Sequence, residues 1–406
     1  MNFNRLKDCV VTNKNVLVRV DINVPIKDGK ITDDTRIRAV IPTLEYLAKN
    51  KAKVIVISHF GRPKGQKVAS MSLVQTIERI AELLPNIKVN FVDDCIGDKV
   101  KEEVSKTNYG EVILLENLRF YTQEEKNDAE FSRQLASLAN LYVNDAFSCS
   151  HRAHASIVGV AQILKSVAGF QMEKELDNLN NLLQNSKRPM MAVIGGAKIS
   201  SKIDLVKSLS KKCDAIFIAG AMANTFFYAM GNNVGKSLFE ADFKEVALNA
   251  IEEAKKNNCQ IILPKDVVVC KKLENNTTSQ NIDLSEVQDD DIIADAGVES
   301  INFLADELKK YQTVLWNGPL GAFEIKPFNK ASEDFAKIIA NLTKNNGLIS
   351  VAGGGDSVSA INATNLADQF SYISTAGGAF LEWLEGKELP GILALDFLHN
   401  HKILRN

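Results

Sequence analysis

The chain has 406 residues, 45% hydrophobic and 24% charged, with a formal net charge of -2, enough for two or three globular domains with sizeable cores. So even a balance gives no support for a general nucleic-acid or membrane-surface role, and any basic site must be local. Six cysteines, at 9, 95, 149, 213, 259 and 270, form no Cys-x-x-Cys pair and no zinc spacing, which suits core thiols in a reducing cytoplasm. No apolar run approaches the roughly 18 residues of a membrane span, and the first residues lack a signal-peptide shape. A soluble, cytoplasmic protein is expected.

Val16 to Val24 is β-branched and apolar, then turns polar at Asp21 and Asn23, so a strand runs into a polar loop. Asp33-Asp34-Thr35 can open a helix running to Leu47. That puts Arg36 in its first turn, where the helix dipole disfavours a cation. A solvated surface arginine and a functional one are both compatible with that position. Strand Lys53–Ile57 ends in Ser58-His59-Phe60-Gly61-Arg62-Pro63. Helix 73–84, strand 87–92, helix 98–105 and strand 112–115 follow, the last running into Glu116-Asn117-Leu118-Arg119-Phe120. After a helix at 128–138, strand Leu141–Val143 leads to Ser150-His151-Arg152-Ala153-His154. Strand and helix alternate throughout, the pattern of a doubly wound parallel sheet. Asp21, Asn23, His59, Arg62, Arg119 and Arg152 then fall on one rim, at the carboxyl ends where such sheets bind ligands. Several arginines there describe a pocket for a small polyanion, because the guanidinium fork matches phosphate and carboxylate. Independent surface charges are the bland alternative.

A helix at 172–183 with leucines at 176, 179 and 183 is charged elsewhere, as suits a connector between domains, and a second alternating series begins after it. Strand 190–194 ends in Gly195-Gly196-Ala197-Lys198, and a helix over 199–209 carries Lys202. Lys198 and Lys202, one helical turn apart, can both point at phosphates. Strand 215–218 ends at Ala219-Gly220-Ala221, strand 292–294 at Asp295-Ala296-Gly297, and strand 313–316 at Asn317-Gly318-Pro319 with Glu324 beyond. Strand 348–351 ends in Gly353-Gly354-Gly355-Asp356-Ser357, and Ser374-Thr375-Ala376-Gly377-Gly378 follows. A glycine-rich strand-to-helix turn brings backbone N–H groups to a phosphate, and Asp356 and Ser357 can cap the helix or hold a metal ion. Gly231-Asn232-Asn233-Val234-Gly235-Lys236-Ser237 is a false Walker A loop, with three residues between its glycines instead of four. No Gly-x-Gly-x-x-Gly fingerprint follows a strand. The tail from Ile392 to Leu398 is apolar enough to need burial against a folded domain.

A basic rim on one lobe and a glycine rim on another suit phosphoryl transfer, where catalysis is mostly alignment and neutralisation of oxygens. The stretches Arg19-Val20-Asp21-Ile22-Asn23-Val24-Pro25, Ser58-His59-Phe60-Gly61-Arg62-Pro63, Glu116-Asn117-Leu118-Arg119-Phe120, His151-Arg152-Ala153-His154, Gly195-Gly196-Ala197-Lys198, Trp316-Asn317-Gly318-Pro319, Gly353-Gly354-Gly355-Asp356 and Glu385-Gly386-Lys387-Glu388-Leu389-Pro390-Gly391 stand in this order. Together they resemble the phosphoglycerate kinase family from end to end. The resemblance implies an α/β fold of two doubly wound parallel-sheet, Rossmann-like domains. These would be a phosphoglycerate domain at 1–170, a connecting helix at 171–186, a nucleotide domain at 187–388 and a tail at 389–406 packing on the first domain.

The resemblance further implies phosphoryl transfer from 1,3-bisphosphoglycerate to ADP, with Mg2+, giving 3-phosphoglycerate and ATP, by a cytoplasmic monomer that closes about a hinge. Asp21, Asn23, Arg36, His59, Arg62, Arg119 and Arg152 would bind phosphoglycerate. Lys202, Gly220, Gly297, Asn317, Glu324, Gly354, Gly355, Asp356 and Ser357 would bind the nucleotide, with Glu324 on the ribose and Asp356 on the metal. Arg36, Lys198, Lys202, Gly354 and Gly377, with Gly378, would stabilise the group in flight. The chain departs from the usual pattern at Ser148-Cys149-Ser150, where Gly-Thr-Ala is common, at Ala221 and Ala376, where glycine is common, and at Ser357, where threonine is frequent. The two alanines add methyl groups beside the expected nucleotide site. Another enzyme of small phosphorylated acids, or a two-lobed anion-binding protein without catalysis, are the alternatives.

Overall fold

The computed structural model describes residues 3–184 and 186–395. They divide into two compact units, residues 3–177 with 388–395, and residues 178–387.

In the first unit β1 (Asn15–Arg19) is followed by a hairpin of β2 (Ile26–Lys27) and β3 (Lys30–Ile31), then α1 (Thr35–Lys49) and β4 (Lys53–Ile57). Next come α2 (Val74–Leu83), β5 (Val89–Val92), α3 (Asp98–Lys106) and β6 (Val112–Leu115). Short α4 (Thr122–Glu125), α5 (Ala129–Ala136), β7 (Leu141–Asn144), α6 (Val160–Ile163) and β8 (Ser166–Ala168) complete the series, and α7 (Phe170–Gln184) leaves it. The six-stranded sheet has the order β5-β6-β4-β1-β7-β8, and every pairing in it is parallel. Its strands are apolar runs because both faces are covered. Val16, Val18, Val54 and Val56 face one core, while Leu17, Ile55 and Ile57 face the other, the period of two that a pleated strand imposes. The chain leaves β1 toward β4 on one side and leaves β7 toward β8 on the other. The carboxyl ends of β1 and β7 therefore flank the topological switch point, where open sheets bind ligands.

In the second unit β9 (Met190–Ile194), α8 (Ile203–Ser210), β10 (Ala215–Ile218), α9 (Ala221–Ala229), α10 (Lys244–Lys256) and β11 (Gln260–Ile262) follow in order. Then β12 (Asp266–Cys270), β13 (Ser279–Asp283) and β14 (Ile292–Ala296) precede α11 (Val298–Glu307). The series ends with β15 (Thr313–Asn317), α12 (Lys330–Asn346), β16 (Ile349–Gly353), α13 (Gly355–Ala363), β17 (Tyr372–Ser374) and α14 (Gly378–Leu384). The parallel sheet runs β11-β10-β9-β15-β16-β17, with its switch point between β9 and β15. Strand 292–294 does not belong to that sheet as the alternating pattern implied. It is part of β14, which pairs antiparallel with β12 beside β13 in a separate three-stranded sheet. The polar Ser279–Asp283 strand had no apolar pattern to reveal it, since its residues are half-buried or exposed.

The charged connector is apolar along one side, with Met172, Leu176, Leu179 and Leu182 buried; the side chain of Leu183 lies outside the described residues. Buried Asp145 caps this helix at the first unit, its Oδ1 accepting from Gln171 N at 2.8 Å and Met172 N at 3.1 Å. After α14 the chain rejoins the first unit through α15 (Pro390–Leu393). There Gly391 N donates to Ser150 O at 2.9 Å and Ile392 and Leu395 are buried. The Phe397 and Leu398 part of the tail expectation lies outside the described residues.

Candidate active site

The basic site is assembled on the switch point of the first sheet. Asp21, just past β1, is buried and receives Ser148 Oγ at 2.5 Å and Arg36 Nη1 at 3.2 Å. Burial would raise its carboxyl, but Arg36, the Ser148 hydroxyl and Arg19 outweigh it, and Asp21 is held below its ordinary range. Asn23 ties two loops together: its carbonyl accepts from Arg36 Nη1 at 3.0 Å and its Oδ1 from Gly61 N at 3.0 Å. Arg36 does stand in the first turn of its helix, and the Asp21 carboxylate offsets the dipole there. His59, past β4, is buried. Burial, opposed by Asp21 and reinforced by Arg19, Arg119 and Arg152, pushes its ring well below the ordinary imidazole range, so it is neutral near pH 7. Buried Arg119 holds Gly61 O at 2.8 Å and Arg152 donates to His151 Nε2 at 3.1 Å, while Arg62 is exposed. Asn23, Val24, Pro25, Asp33 and Arg36 line a cavity of about 460 Å³.

Sequence reasoning missed two residues here. Arg19 is 1% exposed, and its Nη2 lies 3.2 Å from His59 Nδ1 and 3.7 Å from Cys149 Sγ. The signal was an arginine closing an otherwise apolar strand. Ser148 carried no signal, since nothing in the letters placed its hydroxyl on Asp21. An Asp21 oxygen, a His59 ring nitrogen and Cys149 Sγ lie within 4.8 Å of one another, a set that could ligate a metal ion. The Arg19 guanidinium already puts a positive charge against two of the three, His59 and Cys149.

The second site lies along the carboxyl ends of β9, β15 and β16. Lys202 Nζ spans the switch point, donating to Gly195 O at 2.5 Å and to Asn317 Oδ1 at 2.7 Å. Burial lowers its ammonium to about 8, with Asp356 pulling the other way. The helical-turn spacing expected of Lys198 and Lys202 does not hold: a 3-10 turn, Ile199–Ser201, separates them, and the α-helix begins only at Ile203. Lys198 is exposed while Lys202 is not. Gly195 is forced by close approach, because a Cβ there would sit 1.8 Å from Pro319 O. Gly354 precedes α13 at φ 95°, a left-handed conformation that favours glycine. Neither Asp356 nor Ser357 caps that helix. Ser357 Oγ instead accepts from Gly318 N at 2.5 Å, and Asn317 Nδ2 donates to Gly353 O at 2.7 Å, which stitches the β15 and β16 loops.

Gly220 and Gly377 stand at the N-cap positions of α9 and α14. Gly297 does so for α11, where it is pressed against the Asp266 carboxylate. The Gly231–Ser237 loop is a turn, with Gly235 at φ 54° and Lys236 N on Asp291 O. A cavity of about 280 Å³ opens beside these loops, lined by Gly196, Ala221, Leu238, Phe323, Glu324 and Asp356 among others. Its largely apolar wall, which includes the carboxylates of Glu324 and Asp356, suits a purine nucleoside. Asp356, exposed in the first turn of α13 and unused as a cap, fits a magnesium ion that takes few protein ligands and keeps phosphate oxygens and water. Ala221 does place its methyl on this cavity.

One α/β unit that gathers guanidinium groups, and a second that offers glycine-rich turns, a half-buried lysine and a nucleoside-sized cavity, define a nucleotide-dependent phosphotransferase. The family model for phosphoglycerate kinase matches residues 6–387. The chain is 49% identical over 403 residues to the phosphoglycerate kinase of Sinorhizobium fredii, covering 99% of this chain and 100% of that one. It is 48% identical to that of Caulobacter vibrioides, covering 98% and 100%. The solved structure of phosphoglycerate kinase from Coxiella burnetii superposes with a TM-score of 0.88 at 36% identity, covering 97% of this chain and 99% of that one. That from Pyrococcus horikoshii gives 0.84 at 31%, covering 98% and 100%. The chain belongs to the phosphoglycerate kinase family, phosphotransferases with a carboxyl group as acceptor.

Proposed function

We propose that the first unit binds 3-phosphoglycerate or 1,3-bisphosphoglycerate through Asp21, Asn23, Arg36, His59, Arg62, Arg119 and Arg152. The second binds ADP or ATP through Lys202, Gly220, Gly297, Asn317, Glu324 and the Gly354–Ser357 loop. Arg36 carries the reading furthest: its helix position disfavours a cation, yet it is held beside Asp21 at 3.2 Å and remains 38% exposed. From there it can release the carboxylate and meet the charge developing on the transferred group, with Lys198, Lys202 and the amides of Gly354, Gly377 and Gly378 on the remaining oxygens. Asp356 would hold Mg2+ from the protein side, and the ion would supply charge neutralisation at the nucleotide phosphates. Neutral His59 and Asn23 orient the phosphoglycerate. Glu324, exposed at the cavity edge, accepts from the ribose hydroxyls.

Because the two sets of residues belong to separate units, transfer requires the units to close on both ligands, which excludes water from the reacting group. The protein acts as a cytoplasmic monomer on these small anions. Among the described residues no helix is long and apolar enough to cross a membrane. The test is a coupled assay of ATP formation from ADP and 1,3-bisphosphoglycerate with and without Mg2+; absence of ATP would reject the reading. X-ray scattering tests the closure, with a smaller radius of gyration expected only when both ligands are present.

A further inference from the structure

Arginine can only donate hydrogen bonds. With Arg19 Nη2 3.2 Å from His59 Nδ1, that ring nitrogen must be the acceptor, and the proton of the neutral imidazole resides on Nε2. The side chains that bond the ring, Arg19 and Cys149, do so at Nδ1, which leaves Nε2 to an anion. His59 thus owes its tautomer to the placement of Arg19.

Arg19 is held in turn from the far side. Its Nε donates to Ser156 Oγ at 2.9 Å. That hydroxyl must accept, because its own hydrogen goes to Glu124 Oε1 at 2.5 Å. Ser156 N donates to the other Glu124 oxygen at 2.9 Å, and Ser156 O accepts from Tyr142 OH at 2.6 Å. Ser156 stands in the first turn of the π-helical segment Ala155–Gly159, where an N–H has no partner within the helix, so its N–H and hydroxyl can both bond one carboxylate. Glu124 is 0% exposed. A buried carboxylate is kept only where it is paired; both hydrogen bonds to the Glu124 carboxylate come from Ser156, the residue that fixes Arg19, with His154 Nδ1 farther off at 3.8 Å.

We propose that Glu124 and Ser156 are positioning residues for phosphoglycerate binding, holding the Arg19 guanidinium so that His59 keeps its proton on Nε2. This rests on the assignment of His59 to the phosphoglycerate site. The other groups facing His59 are Asp21, Arg119, Arg152 and the Cys149 thiol. With Glu124→Gln one of the two acceptor oxygens becomes an amide donor, so Ser156 N and Oγ are no longer both held, and the buried Arg19 cation turns toward Asp21, away from the ring. Ser156→Ala removes the hydroxyl alone.

The experiment is nitrogen-15 NMR of the imidazoles in the full chain, the His59 signals being assigned by their loss in His59→Gln, together with steady-state kinetics. The wild type should show an unprotonated Nδ1 and a protonated Nε2. Glu124→Gln and Ser156→Ala should both show exchange between tautomers and a KM for 3-phosphoglycerate raised about three- to tenfold, the worth of one misplaced hydrogen bond. The KM for ATP should be unchanged, and Ser156→Thr, which keeps the hydroxyl, should restore both readouts. If Glu124→Gln does not fold, Ser156→Ala decides alone. A wild-type proton on Nδ1, or an unchanged tautomer in folded Ser156→Ala, overturns the proposal. An unchanged KM in His59→Ala overturns the site assignment instead, and the NMR result judges the Arg19 linkage separately.

Discussion

Lys202 offers the sharpest test of the nucleotide site, because the fold has made an ammonium group titrate within a convenient range. Burial lowers it to about 8 against a weaker opposing pull from Asp356. A phosphate arriving beside it favours the charged form, so binding selects protonated lysine and takes up a proton when the pH is above the free value. With a free value of about 8, the protonated fraction falls from about nine-tenths at pH 7 to about one-tenth at pH 9. ADP affinity should therefore drop about tenfold, or about 1.4 kcal/mol, over those two units. Calorimetry of ADP binding at pH 7, 8 and 9, each in two buffers of different ionisation enthalpy, should show the fall together with uptake of nearly one proton at pH 9. Lys202→Met should bind more weakly at pH 7 and show neither the slope nor the uptake. A wild-type affinity flat from pH 7 to 9, or an equal slope in Lys202→Met, would refute the reasoning.

The first unit makes a prediction of the other kind. Arg36→Ala should lower kcat by about a hundredfold or more, the scale of one lost donor to transition-state charge, while the KM for 3-phosphoglycerate changes far less; equal changes in both would remove that role. Ser357→Ala leaves Gly318 N without its acceptor and should cost about 1–3 kcal/mol in urea unfolding, whereas Ser357→Thr should behave as the wild type. Asp145, buried and raised to about 6 by that burial, contributes stability as the neutral acid that is complete below about 3.8 and lost as pH rises through about 6. Asp145→Asn keeps an oxygen for Gln171 N and Met172 N. It should gain up to about 3 kcal/mol over the wild type at pH 8 and little at pH 4; a loss of equal size at both values would contradict this. Gly195→Ala should fail to fold or lose many degrees of Tm, since the added methyl meets the Pro319 carbonyl.

Local order set much of what the letters could reveal. Strands buried on both faces read as unbroken apolar runs, so Lys53–Ile57, Val112–Leu115, Met190–Ile194 and Ala215–Ile218 were legible to the residue, and the alternation with helices dictated parallel sheets. The loop residues at their carboxyl ends were legible for the same reason, because parallel topology sends all of those ends to one edge. One local signal went unread: Asp28-Gly29, both with positive φ, closes the β2–β3 hairpin as such a pair does. Other features were beyond reach of local pattern. A strand's letters do not say which sheet it joins: 292–294 reads as one more parallel strand, whereas β14 pairs antiparallel with β12. Nor do they say which polar groups, tens to more than a hundred residues apart, meet in the fold. The grip of Ser148 on Asp21, of Lys202 on Asn317, and of Glu124 through Ser156 and Arg19 on His59 exists only because tertiary packing removes water from these groups and leaves each other as partners.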